Sequence, residues 1–382
     1  PKGADMQERW ITAFAQSLMP SLGILMPIGR TARLAMPLNV SGKAVRLRFS
    51  NIPGRKASVI QGATLCFMKD GKLAPGQMPV TFAGQDRAVI PPGELVQSDA
   101  IPLPVLPGLT LALSMIGTKQ MHTMNSLGWL GTKSPKGDFR NSNFESLPQS
   151  PLLSKILGMP LDPTVPLFRA LDVLTSEPHI GISVLGDSLS QQGRWLIPFM
   201  DRAYKAYPGQ ASLLSAGISG NSLTLDTEPA FKGIFGDAAI KRIESDCFSD
   251  HGVNRLLFAL GANDVFQADT ILYRHPLPTP EMFLSACEYI QAESHARGIT
   301  TVAFTIFPAR PPKKNKKLRI ELRQAFNDII RKTFDLTIEC DPILLDGTSY
   351  KDGYSSPDGT HLTELGGKAF ADALDLKKVT GI

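Results

Sequence analysis

The sequence predicts a two-domain chain: an all-β sandwich of jelly-roll type, then an α/β domain of three layers on a parallel sheet. Three observations lead there. At 382 residues the chain exceeds what one hydrophobic core usually serves. Short alternating runs separated by turn signals fill residues 28–118, which is the pattern of packed antiparallel sheets. From Ile180 onward, apolar strand-like runs alternate with helical segments, the pattern of a doubly wound parallel sheet. The expected boundaries are 1–125 for the β-sandwich, 126–177 for a connector and 178–382 for the α/β domain.

In the N-terminal part, Val45-Arg46-Leu47-Arg48-Phe49 alternates apolar and polar with the period of a strand. Turn signals follow at Asn51-Ile52-Pro53-Gly54, Lys69-Asp70-Gly71, Ala83-Gly84-Gln85-Asp86 and Pro91-Pro92-Gly93. Between them lie strand-like segments at Ser58 to Met68, Val80 to Phe82, Ala88 to Ile90 and Leu109 to Ile116. Residues 119–177 are rich in Ser, Pro, Gly and Asn and read as irregular, with one short helix around Leu152 to Leu157. The C-terminal part carries strand-like runs at Ile180–Leu185, Ala211–Ser215, Arg255–Leu260, Thr300–Ile306 and Leu336–Cys340. Its clearest helices are Glu281 to Arg297, Lys316 to Thr333 and Glu364 to Leu374.

Composition narrows the function classes. Hydrophobic residues make up 43% and charged residues 20%, as in ordinary globular proteins. No apolar run reaches the roughly 18–20 residues of a membrane span, so no integral membrane association is expected. The net charge of +5 is uneven: residues 1–125 hold 13 Lys/Arg against 6 Asp/Glu, leaving 27 against 29 of the chain's 40 and 35. Solvated strand faces account for that bias better than an anionic partner does. No basic stripe interleaved with aromatics is present, so nucleic acid is not an expected partner. Cys66, Cys247, Cys287 and Cys340 show no paired spacing and the histidines no ligand spacing, so neither a metal nor another cofactor is expected. The chain begins at Pro1, which leaves a cytoplasmic protein and an exported one with its leader removed equally open.

In doubly wound sheets the site lies beyond the carboxyl ends of the strands, where strand order reverses. The first three C-terminal strands end in Gly186-Asp187-Ser188, Gly217-Ile218-Ser219-Gly220-Asn221 and Gly261-Ala262-Asn263-Asp264. A fourth polar segment, Ser356-Pro357-Asp358-Gly359-Thr360-His361-Leu362, precedes the last helix. Serine is a poor nucleophile at neutral pH and needs a base, and the base needs an orienting acceptor. Ser188 suits the nucleophile, His361 the base and Asp358, three residues away, the orienting group. Acyl transfer also needs donors aimed at an oxyanion; the candidates are the Ser188 N–H, the Gly220 N–H and the Asn263 amide. Each has a plainer reading: Gly-Asp-Ser alone also makes ordinary turns, Gly217 is an alternative donor, Asn263 and Asp358 serve equally as turn or cap residues. Asp187 and Asp264 read as loop braces that accept backbone N–H bonds. Trp195 reads as core before site lining, and His122 and Trp129 as surface loop residues that are able to reach a cleft. The Lys313–Lys317 run reads as a solvated loop on the site side of the sheet.

These four blocks resemble the SGNH, or GDSL-type, hydrolase superfamily, defined by Ser, Gly, Asn and His in that order. They match as Gly186-Asp187-Ser188-Leu189, Gly217-Ile218-Ser219-Gly220-Asn221, Gly261-Ala262-Asn263-Asp264 and Asp358-Gly359-Thr360-His361. The resemblance covers about residues 180–375 and implies a flavodoxin-like hydrolase domain. It implies Ser188, Asp358 and His361 as catalytic triad, Ser188, Gly220 and Asn263 as oxyanion hole, and no cofactor. Arg46 to Asn51, Val80 to Gly84, Ile90 to Gly93 and Ser98-Asp99 are similar to the β-sandwich of a two-domain subgroup described as lysophospholipase-like or carbohydrate-esterase-like. It departs from that pattern between Gly117 and Gly131, and the glutamines after Ser188 are unusual. The function expected is a serine esterase acting through an acyl-enzyme on short acyl, especially acetyl, esters of a carbohydrate or small molecule. The alternatives are a lipase, lysophospholipase or thioesterase of the same superfamily, and a carbohydrate-binding protein that keeps only the fold. The oligomeric state is open.

Overall fold

The structure, a computed structural model, describes residues 7–21, 26–125, 130–147, 164–228, 233–270 and 273–382. The chain divides into two compact units, Pro1–His179 with Pro208–Ser212, and Ile180–Tyr207 with Leu213–Ile382. Among the described residues, no helix is long and apolar enough to cross a membrane.

The N-terminal unit is built from antiparallel sheets. One runs in the order Arg9–Ala15, Phe168–Thr175, Ala44–Ser50, Leu95–Gln97. A second runs Gly131–Lys136, Arg30–Pro37, Thr110–Ile116, Ala63–Lys69, Lys72–Leu73, with Met78–Val80 also on Ala63–Lys69. The alternation at Val45 to Phe49 does what its pattern predicts: Val45, Leu47 and Phe49 are fully buried. Phe49 meets Phe168 edge-on at 6.0 Å across the strand pair. Residues 126–177, expected to be an irregular connector, carry strands that pair with this unit. Phe168–Thr175 lies between Arg9–Ala15 and Ala44–Ser50, in register from Arg9↔Thr175 and Leu174↔Ala44. Composition hid it because both its ionisable residues, Arg169 and Asp172, are buried; Asp172 is paired with Arg48 at 3.1 Å, Arg46 at 3.2 Å and the Thr12 hydroxyl at 2.9 Å. A buried carboxylate is tolerated only with such partners. The helix expected around Leu152 to Leu157, and Trp129, lie outside the described residues.

The C-terminal unit holds a five-stranded sheet. Its strands are β1 (Ile180–Gly186), β2 (Ala211–Gly217), β3 (Val253–Ala259), β4 (Thr300–Phe304) and β5 (Leu336–Ile338). Their spatial order is β2-β1-β3-β4-β5, with β1, β3, β4 and β5 parallel. Order therefore reverses between β1 and β3, and a site is expected at their carboxyl ends. The helices are α1 (Ser188–Gln191), α2 (Leu196–Ala206), α3 (Ala239–Ile243), α4 (Ala262–Phe266), α5 (Pro280–Ala296), α6 (Lys316–Thr333), α7 (Asp341–Leu344), α8 (Glu364–Ala373) and α9 (Leu376–Thr380).

Helices cover both faces of the sheet, because successive strand side chains point to opposite sides. Phe258 and Ala303 pack with Ile243 of α3, Phe283 and Ile290 of α5 and Phe326 of α6. The next residue, Phe304, faces the other way, 5.2 Å from Trp195 at the start of α2 and 5.3 Å from Phe370 of α8. Trp195 is fully buried in this aromatic cluster and is core. The four cysteines are all free and buried.

Candidate active site

β1 ends at Gly186, and Asp187 leaves the sheet in an extended conformation with φ −110°. Its Oδ1 accepts the Leu189 N–H at 2.9 Å, which caps α1 and fixes Ser188 at the first position of that turn. Strand, cap and turn are thus local consequences of Leu-Gly-Asp-Ser. Asp187 itself is buried, and burial pushes its carboxyl up to about 6 against the opposing pull of the Leu189 N–H.

His361 reaches Ser188 from the turn before α8. The Asp358 Oδ1 accepts the Thr360 N–H at 2.8 Å and the His361 N–H at 3.0 Å, so the carboxylate organises its own turn. Its Oδ2 lies 2.6 Å from His361 Nδ1, and His361 Nε2 lies 2.9 Å from Ser188 Oγ. A carboxylate at Nδ1 selects the tautomer with the proton there, which leaves the Nε2 lone pair for the serine hydroxyl. Burial alone would raise the Asp358 carboxyl, but the His361 ring and the two N–H groups outweigh it and hold it below the usual carboxylate range. Gly359, at φ +72°, closes the turn and accepts the Arg310 N–H at 2.7 Å through its carbonyl. Thr363 then caps α8, its hydroxyl accepting the Gly366 N–H at 3.0 Å.

Gly220 follows β2 at φ +76°, and a Cβ there would lie 2.4 Å from the Phe235 ring, so only glycine fits. Among the described residues, neither the Ser188 N–H nor the Gly220 N–H meets a protein acceptor. Unused backbone donors of this kind are what an oxyanion would require. Gly217, the alternative donor, is instead the last residue of β2. The Asn263 amide does not stand free: it donates to the Asn221 carbonyl at 2.8 Å and to Asp187 Oδ2 at 3.2 Å. Asp264 braces the loop after β2, accepting the Leu223 N–H at 2.8 Å, the Thr224 N–H at 2.9 Å and the Thr224 hydroxyl at 2.7 Å.

Arg242 of α3 was not legible as a site residue. Its guanidinium is buried and donates to the Gly186 carbonyl at 3.1 Å, the Ala216 carbonyl at 2.8 Å and the Asn221 Oδ1 at 3.0 Å. Its charge is met by Asp246 at 2.8 Å. One cation therefore joins the ends of β1 and β2 to the Gly220 turn. Its neighbour Lys241 has the same sequence character but pairs with Asp226 at the surface, so only the spacing to Asp246 (i,i+4) hinted at the difference. His122 lies in the N-terminal unit, its N–H donating to the Ser58 hydroxyl at 3.0 Å. In the Lys313–Lys317 loop, Lys314 pairs with Asp269 at 2.8 Å and Lys317 with Glu321 at 3.8 Å.

Ser188, His361 and Asp358 stand in the hydrogen-bonded order of a Ser–His–Asp triad. Solved structures similar to the chain include a lipase/acylhydrolase from Enterococcus faecalis, at 17% identity over 53% of this chain and 96% of that one, with a TM-score of 0.40. An acetyl xylan esterase is similar at 20% identity, over 50% of this chain and 96% of its own, with a TM-score of 0.39. The psychrotrophic esterase EstA from Pseudoalteromonas sp. is similar at 21% identity, over 50% and 92%, with a TM-score of 0.37. No family model and no curated protein matches the chain. The functional reading rests on the geometry of the site.

Proposed function

We propose that the protein is a carboxylic ester hydrolase that works through an acyl-enzyme on Ser188. The observation that carries this reading is the unbroken line from Ser188 Oγ to His361 Nε2 at 2.9 Å and from His361 Nδ1 to Asp358 Oδ2 at 2.6 Å. His361 takes the serine proton as Oγ bonds to the ester carbonyl carbon, and Asp358 stabilises the imidazolium that results. The carbonyl oxygen becomes an oxyanion held by the Ser188 and Gly220 N–H groups. The Asn263 N–H that points at Asp187 is the longer of that amide's two bonds and is the one that turns to the oxyanion as charge develops. The tetrahedral centre collapses, the alcohol leaves with the proton from His361, and acyl-Ser188 remains. Water then gives its proton to His361 and attacks the acyl carbon; the acid departs and the proton returns to Ser188.

For the substrate we propose short acyl esters, acetyl on a carbohydrate foremost. The N-terminal unit, as a β-sandwich formed from its antiparallel sheets, would supply the sugar-binding face. The support is fold-level analogy alone. Hydrolysis of p-nitrophenyl acetate by the wild type and by Ser188→Ala tests the chemistry. Activity that disappears in the variant supports it, and equal rates refute it. Comparing the acetate with the decanoate tests the acyl preference, and faster turnover of the decanoate moves the reading to a lipase or thioesterase.

A further inference from the structure

The donor contributed by Gly220 is held from both sides by side chains that lie outside the triad. On one side, the N–H of the preceding residue, Ser219, donates to the Gln191 Oε1 at 2.7 Å. Gln191 sits three residues after Ser188 in α1, and its side chain is buried at 2% exposure. On the other side, the Tyr273 hydroxyl donates to the carbonyl of Gly220 itself. Tyr273 is fully buried, and its ring lies 5.9 Å from that of Phe235, the residue that leaves no room for a Cβ at Gly220. The direction of the Gly220 N–H is set by the Ser219–Gly220 peptide plane. Glycine at φ +76° would otherwise let that plane rotate at little cost. Pinning the N–H before it and the carbonyl after it removes this freedom, so no reorganisation is needed as charge develops.

We propose that Gln191 and Tyr273 are positioning residues that together aim the Gly220 N–H at the oxyanion, a role that rests on the esterase reading above. Neither touches the reacting atoms. Burial raises the Tyr273 hydroxyl well above its ordinary value, so it remains a donor across the working range of an esterase. Gln191 also links the nucleophile's helix to the donor's turn, which keeps the two backbone donors at a fixed separation.

The experiment compares Gln191→Met, which keeps the volume and removes the acceptor, with Tyr273→Phe, which keeps the ring and removes one hydroxyl. Rates on p-nitrophenyl acetate are expressed per active site, counted with a phosphonate ester that labels the serine. Each variant is expected to lose about tenfold in kcat, a part of the roughly 10²–10³-fold that one oxyanion donor contributes. KM stays within twofold, and the pH midpoint of kcat/KM stays where it was, because His361 is untouched. The double variant loses less than the product of the single losses, since both act through one N–H. The proposal is overturned if either single variant keeps kcat within twofold of wild type, if the loss falls on KM, or if the pH midpoint moves with it. Ser188→Ala, assayed alongside, separates the two levels: if it is inactive, these outcomes judge the clamp alone, and if it stays active the esterase reading and the clamp fall together.

Discussion

Replacing Asp358 by asparagine is the most informative single change to the triad. The carboxylate makes two kinds of contact: Oδ1 accepts the Thr360 and His361 N–H groups at 2.8 and 3.0 Å, and Oδ2 meets His361 Nδ1 at 2.6 Å. An asparagine keeps the first kind through its carbonyl oxygen, so the turn and the placement of His361 survive. It puts an NH₂ where Oδ2 was. That donor favours the tautomer with a lone pair at Nδ1 and the proton at Nε2, facing Ser188 Oγ, and a nitrogen that carries a proton cannot accept one. The imidazolium also loses its counter-charge. By comparison with serine hydrolases, these effects lower kcat by about 10³–10⁴-fold, or roughly 4–5 kcal/mol of barrier. Asp358→Ala frees the turn but leaves the tautomer unbiased, so it should retain more activity than Asp358→Asn while losing more thermal stability. Stopped assays on p-nitrophenyl acetate and a melting curve measure both. An Asp358→Asn enzyme within tenfold of wild type would refute the tautomer argument.

Gly220→Ala should cut kcat by about 10²–10³-fold, the worth of one oxyanion donor, because the new Cβ meets the Phe235 ring at 2.4 Å and strains a φ of +76°; steady-state kinetics would read it. Trp195→Ala should destabilise by about 3–5 kcal/mol in urea denaturation, since the ring is fully buried against Phe304 and Phe370. Asp187 has a folded pKa raised to about 6 from 3.8, so the folded state holds its proton longer than the unfolded state does. Its contribution to stability is therefore present at low pH and is lost as pH rises between those two values, by at most about 1.4 kcal/mol for each pH unit crossed. Asp187→Asn should flatten the pH–stability curve there, as equilibrium unfolding at pH 4 and pH 7 would show.

The parts of the fold visible in the sequence were those fixed by local pattern. The Lys316–Thr333 helix has the expected bounds because its apolar residues Leu322, Phe326 and Ile330 recur at helical spacing. The strands of the parallel sheet read as apolar runs because both their faces are covered. Phe168–Thr175 stayed hidden because Asp172 finds its partners in strands more than 120 residues earlier in the chain. The same division runs through the site. Ser188, Asp358 and His361 were legible from their blocks, and the structure places them in hydrogen-bond contact. Arg242, Gln191 and Tyr273 acquire their roles only from what the fold puts beside them.

The Arg242 guanidinium has a consequence for how this site opens. Local unfolding normally samples a protein in separate patches, each with its own free energy. Here the residue before the nucleophile's turn, the end of the adjacent strand and the loop carrying Gly220 all hang on one side chain. Nη2 serves Gly186, Nη1 serves Ala216 and Asp246, and Nε serves Asn221, so withdrawing the one side chain strips all three segments together and uncovers the charge of Asp246. The hydrogen-bonded amides flanking Ser188 and Gly220 should therefore open to solvent as one unit, with one free energy of opening, and the site should be lost all at once when it is lost.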